Sequence, residues 1–192
     1  RQMNPWDLNP ATLESMEDMG KLLLEQGKLE EAEPYFMQVL DGRRKALGDV
    51  HHATLDAITS MGELLHAQGE YDEAFAHFRE VHALLRKAHG NMHPDTLEAL
   101  VLLAFYLDRS DTDEEAALGL YLESLEGYRS IGDGDDPAIA FILDMITNHL
   151  IDGLKRPEEA MPYLQELVAM QRRMLGDDHP ETLDTLKSMG ST

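Results

Sequence analysis

The sequence predicts an all-α chain, a solenoid built by stacking antiparallel helix pairs. Three observations carry this. The stretch LGDVHHATLDAITSMG from residue 47 returns as LGDDHPETLDTLKSMG from residue 175, with ten of sixteen letters identical. A second signature, seen as GKLEEAEPYFMQVL from 27, GEYDEAFAHFREV from 69, TDEEAALGLYLES from 112 and KRPEEAMPYLQEL from 155, centres on Ala32, Ala74, Ala117 and Ala160, spaced 42, 43 and 43 apart. The composition is rich in Leu, Ala, Glu and Met, with few β-branched residues and 6% aromatics. A period of this length marks a repeat whose units cannot bury their apolar faces alone and are stabilised by stacking on their neighbours.

Each period holds two helices. Related copies of the first signature, NPATLESMEDMG from 9, HGNMHPDTLEALVLLA from 89 and GDGDDPAIAFILDMIT from 132, complete the series. In the first helix Leu13, Met16, Met19 and Leu23 recur at helical spacing, as do Leu55, Ile58, Met61 and Leu65. Its start is marked by Asn9-Pro10, His93-Pro94, Asp136-Pro137 or His179-Pro180. Asn or Asp caps there, and proline fits the first helical position because that N–H has no intrahelical partner. Asp95 and Glu181 follow at the positive end of the helix. Gly27 and Gly69 suit a left-handed stop after it.

The second helix runs to about Leu47, His89 and Leu175, and Gly48, Gly90 and Gly176 end it. Pro34 and Pro162 lie near its first turn, where a missing donor costs least. Gly20, Gly62, Ala104, Thr147 and Gly190 sit midway along the first helix and, with the four alanines of the second, let the helices approach closely. Tyr35, Phe36, Phe78, Tyr121, Tyr163 and Leu164 are expected to fill the space between successive pairs. These marks place repeats at about 9–49, 50–91, 92–134 and 135–177, a partial copy at 178–192, and a remnant of a preceding repeat at 1–8, all in one array over 1–192.

Composition bounds the function. Sixteen Lys and Arg against 37 Asp and Glu give a net charge of −21, a field that repels nucleic acid and anionic membrane surfaces. Nothing approaches a membrane span, and no secretory leader is visible, so a cytoplasmic location is expected. Without cysteine there is no disulfide, thiolate metal site or thiol nucleophile. The acidic loop at 133–136 fails the calcium-loop template, since Pro137 and Ala138 take its fifth and sixth places. The histidines show no zinc spacing, and phosphate loops and GxSxG elbows are missing. No catalytic, metal or cofactor residues are therefore assigned, and the chain reads as a non-enzyme.

Paired helices with a small residue in the first, and alanine four before an aromatic in the second, resemble the tetratricopeptide repeat (TPR). The 42–43-residue period, with LGDDHPETL as punctuation and EEAEPYF opening the second helix, is similar to the kinesin-light-chain type. The resemblance implies a right-handed superhelical solenoid, a TPR array whose first helices line a concave groove for a protein partner. On that reading the groove candidates are Glu14, Glu17, Asp18 and Lys21, then Asp56, Thr59, Ser60, Glu63 and His66. Further along come Glu98, Val101, Leu102, Phe105, Asp108 and Arg109, then Phe141, Asp144, Met145 and Asn148.

The N-terminal half of this series is acidic and polar, while Val101, Phe105, Phe141 and Met145 are expected to form an exposed apolar centre. The Asn-Asn pair common in the family before the small residue is replaced by Glu17-Asp18, Thr59-Ser60, Val101-Leu102, Asp144-Met145 and Lys187-Ser188. The Lys- and Arg-rich clamp of carboxylate-binding TPR domains is also missing. The expected partner is therefore a basic or amphipathic peptide or helix. The alternatives are a structural spacer that self-associates through its open array ends, and the docking or sensor arm of a larger signalling enzyme.

Overall fold

Capping side chains and prolines set the helix starts, and the structure, a computed structural model, describes residues 9–110, 112–132, 134 and 136–191. The chain divides into two units, Arg1–Gly90 and Asn91–Thr192. The first holds α1 (Pro10–Glu25), α2 (Leu29–Leu47), α3 (His52–Gln68) and α4 (Tyr71–His89). The second holds α5 (Pro94–Arg109), α6 (Glu114–Ile131), α7 (Pro137–Asn148), a π-turn (His149–Gly153), α8 (Pro157–Met174) and α9 (Pro180–Ser191). In each unit every helix packs on the next in the chain. No strand occurs among the described residues. The remnant expected at 1–8 lies outside them, as do Asp111, Asp133 and Asp135.

Asn9 Oδ1 and Asp136 Oδ1 accept the backbone N–H of Ala11 and Ala138 at 3.0 and 2.8 Å, the expected caps. Elsewhere an imidazole does the same work. Nδ1 of His51, His93 and His179 accepts the N–H of Ala53, Asp95 and Glu181 at 3.2, 3.3 and 3.4 Å. The histidines of the punctuation therefore close helix ends that would otherwise hold an unsatisfied donor. Gly69 stops α3 at φ 84°, in the left-handed region that an L side chain rarely adopts.

The small residues of the first helix act inside each pair. A Cβ on Gly20 would lie 3.0 Å from the Phe36 ring, and one on Gly62 only 2.7 Å from the Phe78 ring. Both rings are fully buried. These aromatics thus seat on the glycine of their own pair, a contact not included in the expectation that they fill the space between pairs. Gly42 repeats the device in reverse, because its Cβ would meet Leu13 at 2.8 Å.

Ion pairs also follow the period. Arg44 on α2 meets Glu80 on α4 at 2.6 Å, and Arg129 on α6 pairs with Glu166 on α8 at the same register. All four side chains are about a third or more exposed, so each pair sets register more than stability.

The fourth pair departs from the rule. Helix α7 ends early in the π-turn, where the Leu154 N–H donates to the His149 carbonyl at 2.9 Å. His149 is buried, with Nδ1 at 2.6 Å from Asp108 Oδ1 and Nε2 at 2.7 Å from the Glu114 carbonyl. Lys155 stands where Gly27 and Gly69 stand in earlier copies and takes φ 55° without being glycine. The turn locks α7 to both helices of the preceding pair.

Candidate functional site

Two cavities occupy equivalent places in the first and fourth repeats. The first, about 520 Å³, lies among α1, the end of α2 and the start of α3, and includes Glu17, Lys21, Arg43 and Ala53. The second, about 670 Å³, lies among α7, α8 and α9, and includes Asp144, Asn148, Gln171 and Glu181. Aligned on the helix-opening prolines, Glu17 corresponds to Asp144 and Lys21 to Asn148. Aligned on Ala32 and Ala160, Arg43 corresponds to Gln171, and by the following helix start Ala53 corresponds to Glu181.

In the first cavity the buried acid, Glu17, is paired from within. Arg43 donates through Nη2 to Glu17 Oε2 at 2.6 Å and through Nη1 to the Ala53 carbonyl at 2.9 Å. Lys21 Nζ reaches Glu17 Oε1 at 3.0 Å. Burial pushes the Glu17 carboxyl up, but the hydrogen bonds and charges of Arg43 and Lys21 outweigh it and hold the carboxyl below its usual range. The expectation that Glu17 faces a partner is corrected here, because it is buried and paired with α2.

The second cavity holds its central acid with an amide instead of a cation. Asn148 Nδ2 donates to Asp144 Oδ2 at 3.1 Å, where the first repeat has a lysine. Burial pushes the Asp144 carboxyl above its usual range, the Asn148 hydrogen bond pulls it back, and the Glu181 charge raises it again. Asp184, at the rim, pairs with Lys187 at 2.6 Å. Gln171 is only 8% exposed, and its Oε1 finds no hydrogen-bond partner among the described residues. Phe141, 54% exposed, stands on one wall, with Met174 and Leu175 also lining the space. The cavity thus combines an apolar surface with carboxylates on α7 and α9.

The other candidates divide by unit. In the first, Asp18 and Lys21 are exposed, Thr59, Glu63 and His66 are half-buried or nearly so, and Ser60 is buried. His66 lies against the Tyr71 ring at 5.0 Å. In the second, Val101 is buried in the core, which corrects the expectation of exposure. Phe105 is half-buried beneath Arg109, whose guanidinium carbon lies 5.3 Å from the ring centre. Asp108 is engaged by His149, and Met145 packs against the core. The structure therefore brings Phe141, Asp144 and Asn148 to one cavity and sends Val101, Asp108 and Met145 to other work.

Gln171, Met174, Leu175, Glu181 and Asp184 also line this cavity, although only first-helix residues before the last copy were expected to. The signal available for Gln171 was its register with Arg43. Among the described residues, no group of three or more acidic or histidine side chains is placed to hold a metal ion. No helix among them is long and apolar enough to cross a membrane.

A tetratricopeptide repeat family model matches residues 10–85 and 54–130, and a second tetratricopeptide repeat model matches 153–181. The chain belongs to the tetratricopeptide repeat family, whose fold serves as a scaffold for protein interaction. Its architecture is of the kinesin-light-chain-like type. A Podosopora anserina structure of nearly identical TPR-like repeats, assigned to a kinesin light chain, superposes with a TM-score of 0.76 at 20% identity, covering 95% of this chain and 86% of that one. A single-substitution variant of those repeats gives 0.76 at 20% identity, covering 95% and 85%. BtubC (BKLC) from P. vanneervenii gives 0.72 at 16% identity, covering 94% of this chain and 71% of its own. No curated protein sequence matches.

Proposed function

We infer that this chain is a non-catalytic interaction scaffold that holds a basic, amphipathic segment of a partner protein in the groove between α7 and α9. One observation carries the reading: the exposed Phe141 ring shares a cavity with Asp144 and Glu181. An aromatic anchor beside carboxylates takes an apolar side chain and attracts Lys or Arg next to it. The overall charge of −21 works in the same direction by steering basic segments toward the chain.

The test uses a fluorescent amphipathic peptide of Leu and Arg, and a control in which every Arg is Glu. The wild-type chain should bind the first and not the second, and binding should weaken as salt rises. Phe141→Ala should weaken binding by roughly tenfold or more, the scale of an aromatic anchor. Binding that ignores both salt and Phe141 would place the partner elsewhere.

A further inference from the structure

The first and fourth repeats carry one constellation with different charge. In the first, Glu17 is held by Arg43 and Lys21, and Arg43 spans from that carboxylate to the Ala53 carbonyl on the following helix. In the fourth, the acid remains as Asp144, but Asn148 and Gln171 replace the two cations with neutral amides. Where the first repeat offers only the Ala53 carbonyl, the fourth carries a second acid, Glu181. Two cations have thus been withdrawn while the carboxylates lining each cavity stay at three, Glu14, Glu17 and Asp18 in the first against Asp144, Glu181 and Asp184 in the fourth, and the fourth cavity is also the larger.

A buried acceptor marks the same place. Gln171 Oε1 is enclosed and unpartnered among the described residues, at the register where Arg43 projects its guanidinium. A buried acceptor without a donor is costly, and an incoming N–H relieves that cost. The side chain has three rotatable bonds on which to turn its amide toward such a donor. The Asp144 carboxyl lies above its usual range, because burial and the Glu181 charge raise it by more than the Asn148 hydrogen bond lowers it.

We propose that the α7–α9 groove is a receptor for one arginine guanidinium of the partner, which bridges Asp144 and Glu181 and donates to Gln171 Oε1, as the Arg43 guanidinium bridges Glu17 and the Ala53 carbonyl. The partner supplies in trans what α2 supplies in cis to the first repeat. Its aliphatic stem lies along Phe141. Arginine is favoured over lysine because a planar guanidinium reaches several acceptors at once, whereas an ammonium is a point charge. This proposal rests on the groove reading above and names the group the groove selects.

The test compares the Leu/Arg peptide with a copy in which citrulline, uncharged and nearly isosteric, replaces each arginine. On the wild-type chain the arginine peptide should bind about tenfold or more tightly than the citrulline peptide, the size of a charge-assisted contact. Gln171→Arg places the guanidinium in cis and should erase that difference, while Asp72→Asn, an exposed carboxylate on α4 outside every candidate groove, should leave it intact. Phe141→Ala should weaken both peptides alike. Equal binding of the two peptides, still sensitive to Phe141, overturns the arginine receptor and leaves the groove reading standing. Failure of the arginine peptide to bind overturns both.

A second measurement needs no ligand. In Gln171→Arg the Asp144 carboxyl, followed by NMR, should titrate at a lower pH than in the wild-type chain. An unchanged or higher titration would show that the two repeats are not equivalent, and the proposal would fall.

Discussion

Arg43 on α2 closes a 2.6 Å ion pair with Glu17 on α1, and only 11% and 9% of the two side chains remain exposed. The guanidinium also spans to the Ala53 carbonyl on α3, so one side chain ties three helices. Removing it leaves a carboxylate largely out of water with Lys21 as its remaining partner.

Arg43→Met should therefore cost about 2–3 kcal/mol, less than the ~3–5 kcal/mol of a fully buried pair because Lys21 and solvent still reach Glu17. The double variant Glu17→Gln with Arg43→Met should recover a large part of that loss, as a urea-melt cycle would show. Additive single effects would mean that the pair is not coupled.

The same pair sets an acid dependence. The folded Glu17 carboxyl is held below its usual value, so its stabilisation is complete above the unfolded value, ~4.3 for glutamate. It is lost as pH falls through the lower folded value. The wild-type melting temperature should thus converge on that of Glu17→Gln in this acid range. Two curves that stay parallel from neutral pH into acid would contradict it.

Gly62 and Gly190 hold the same place in their repeats but different surroundings. Alanine at 62 would press its methyl into the buried Phe78 ring at 2.7 Å, whereas nothing lies within 4 Å of a methyl at 190. Gly62→Ala should destabilise by about 1–3 kcal/mol through overpacking. Gly190→Ala should be neutral or stabilising by up to ~1 kcal/mol, from helix propensity alone. Equal effects in thermal melts would refute the notch.

His149 meets Asp108 Oδ1 and the Glu114 carbonyl through its two ring nitrogens, and Gly153 lies beneath the ring, where a Cβ would stand 3.1 Å from Nδ1. His149→Leu keeps the bulk but abandons both acceptors, and should cost about 2–4 kcal/mol. Gly153→Ala should cost less, about 1–2 kcal/mol, by displacing the ring. Hydrogen exchange at Ile151 to Leu154 should quicken in both variants. Unchanged exchange there would mean that the π-turn stands without the imidazole.

Tyr121 is fully buried, and its hydroxyl has no hydrogen-bond partner among the described residues. Burial and the Asp108 charge both push the phenol up, so it stays neutral. Tyr121→Phe should be neutral or stabilise by up to ~1 kcal/mol, since it removes a desolvated group and opens no space. A clear destabilisation in the same melts would reveal a partner for the hydroxyl.

Much of the fold was legible because its signals are local. A proline after a capping residue, a glycine past the last turn and an alanine beside a helix crossing each act within a few residues, and they recur at Ala32, Ala74, Ala117 and Ala160. The histidine caps were less legible, because the familiar caps are Asn, Asp, Ser and Thr. Even so, His93 and His179 stand at the position where a cap was expected, and His51 caps α3 in the same way without a proline after it. The π-turn left no periodic mark, since one early helix stop looks in sequence like ordinary drift between copies.

The sequence by itself determined the helix pairs, their order and the positions of the small residues, since these recur at one spacing. Tertiary structure decided what each site residue does. Glu17 and Asp144 look alike along the chain, yet Arg43 reaches the first from 26 residues away, while the second shares its cavity with Gln171 and Glu181. Val101 and Phe141 both look apolar and available, and packing buries one and leaves the other in the open. Charge balance and exposure are sums over neighbours from distant parts of the chain, so only the folded arrangement can distinguish a carboxylate already answered from one that awaits a cation.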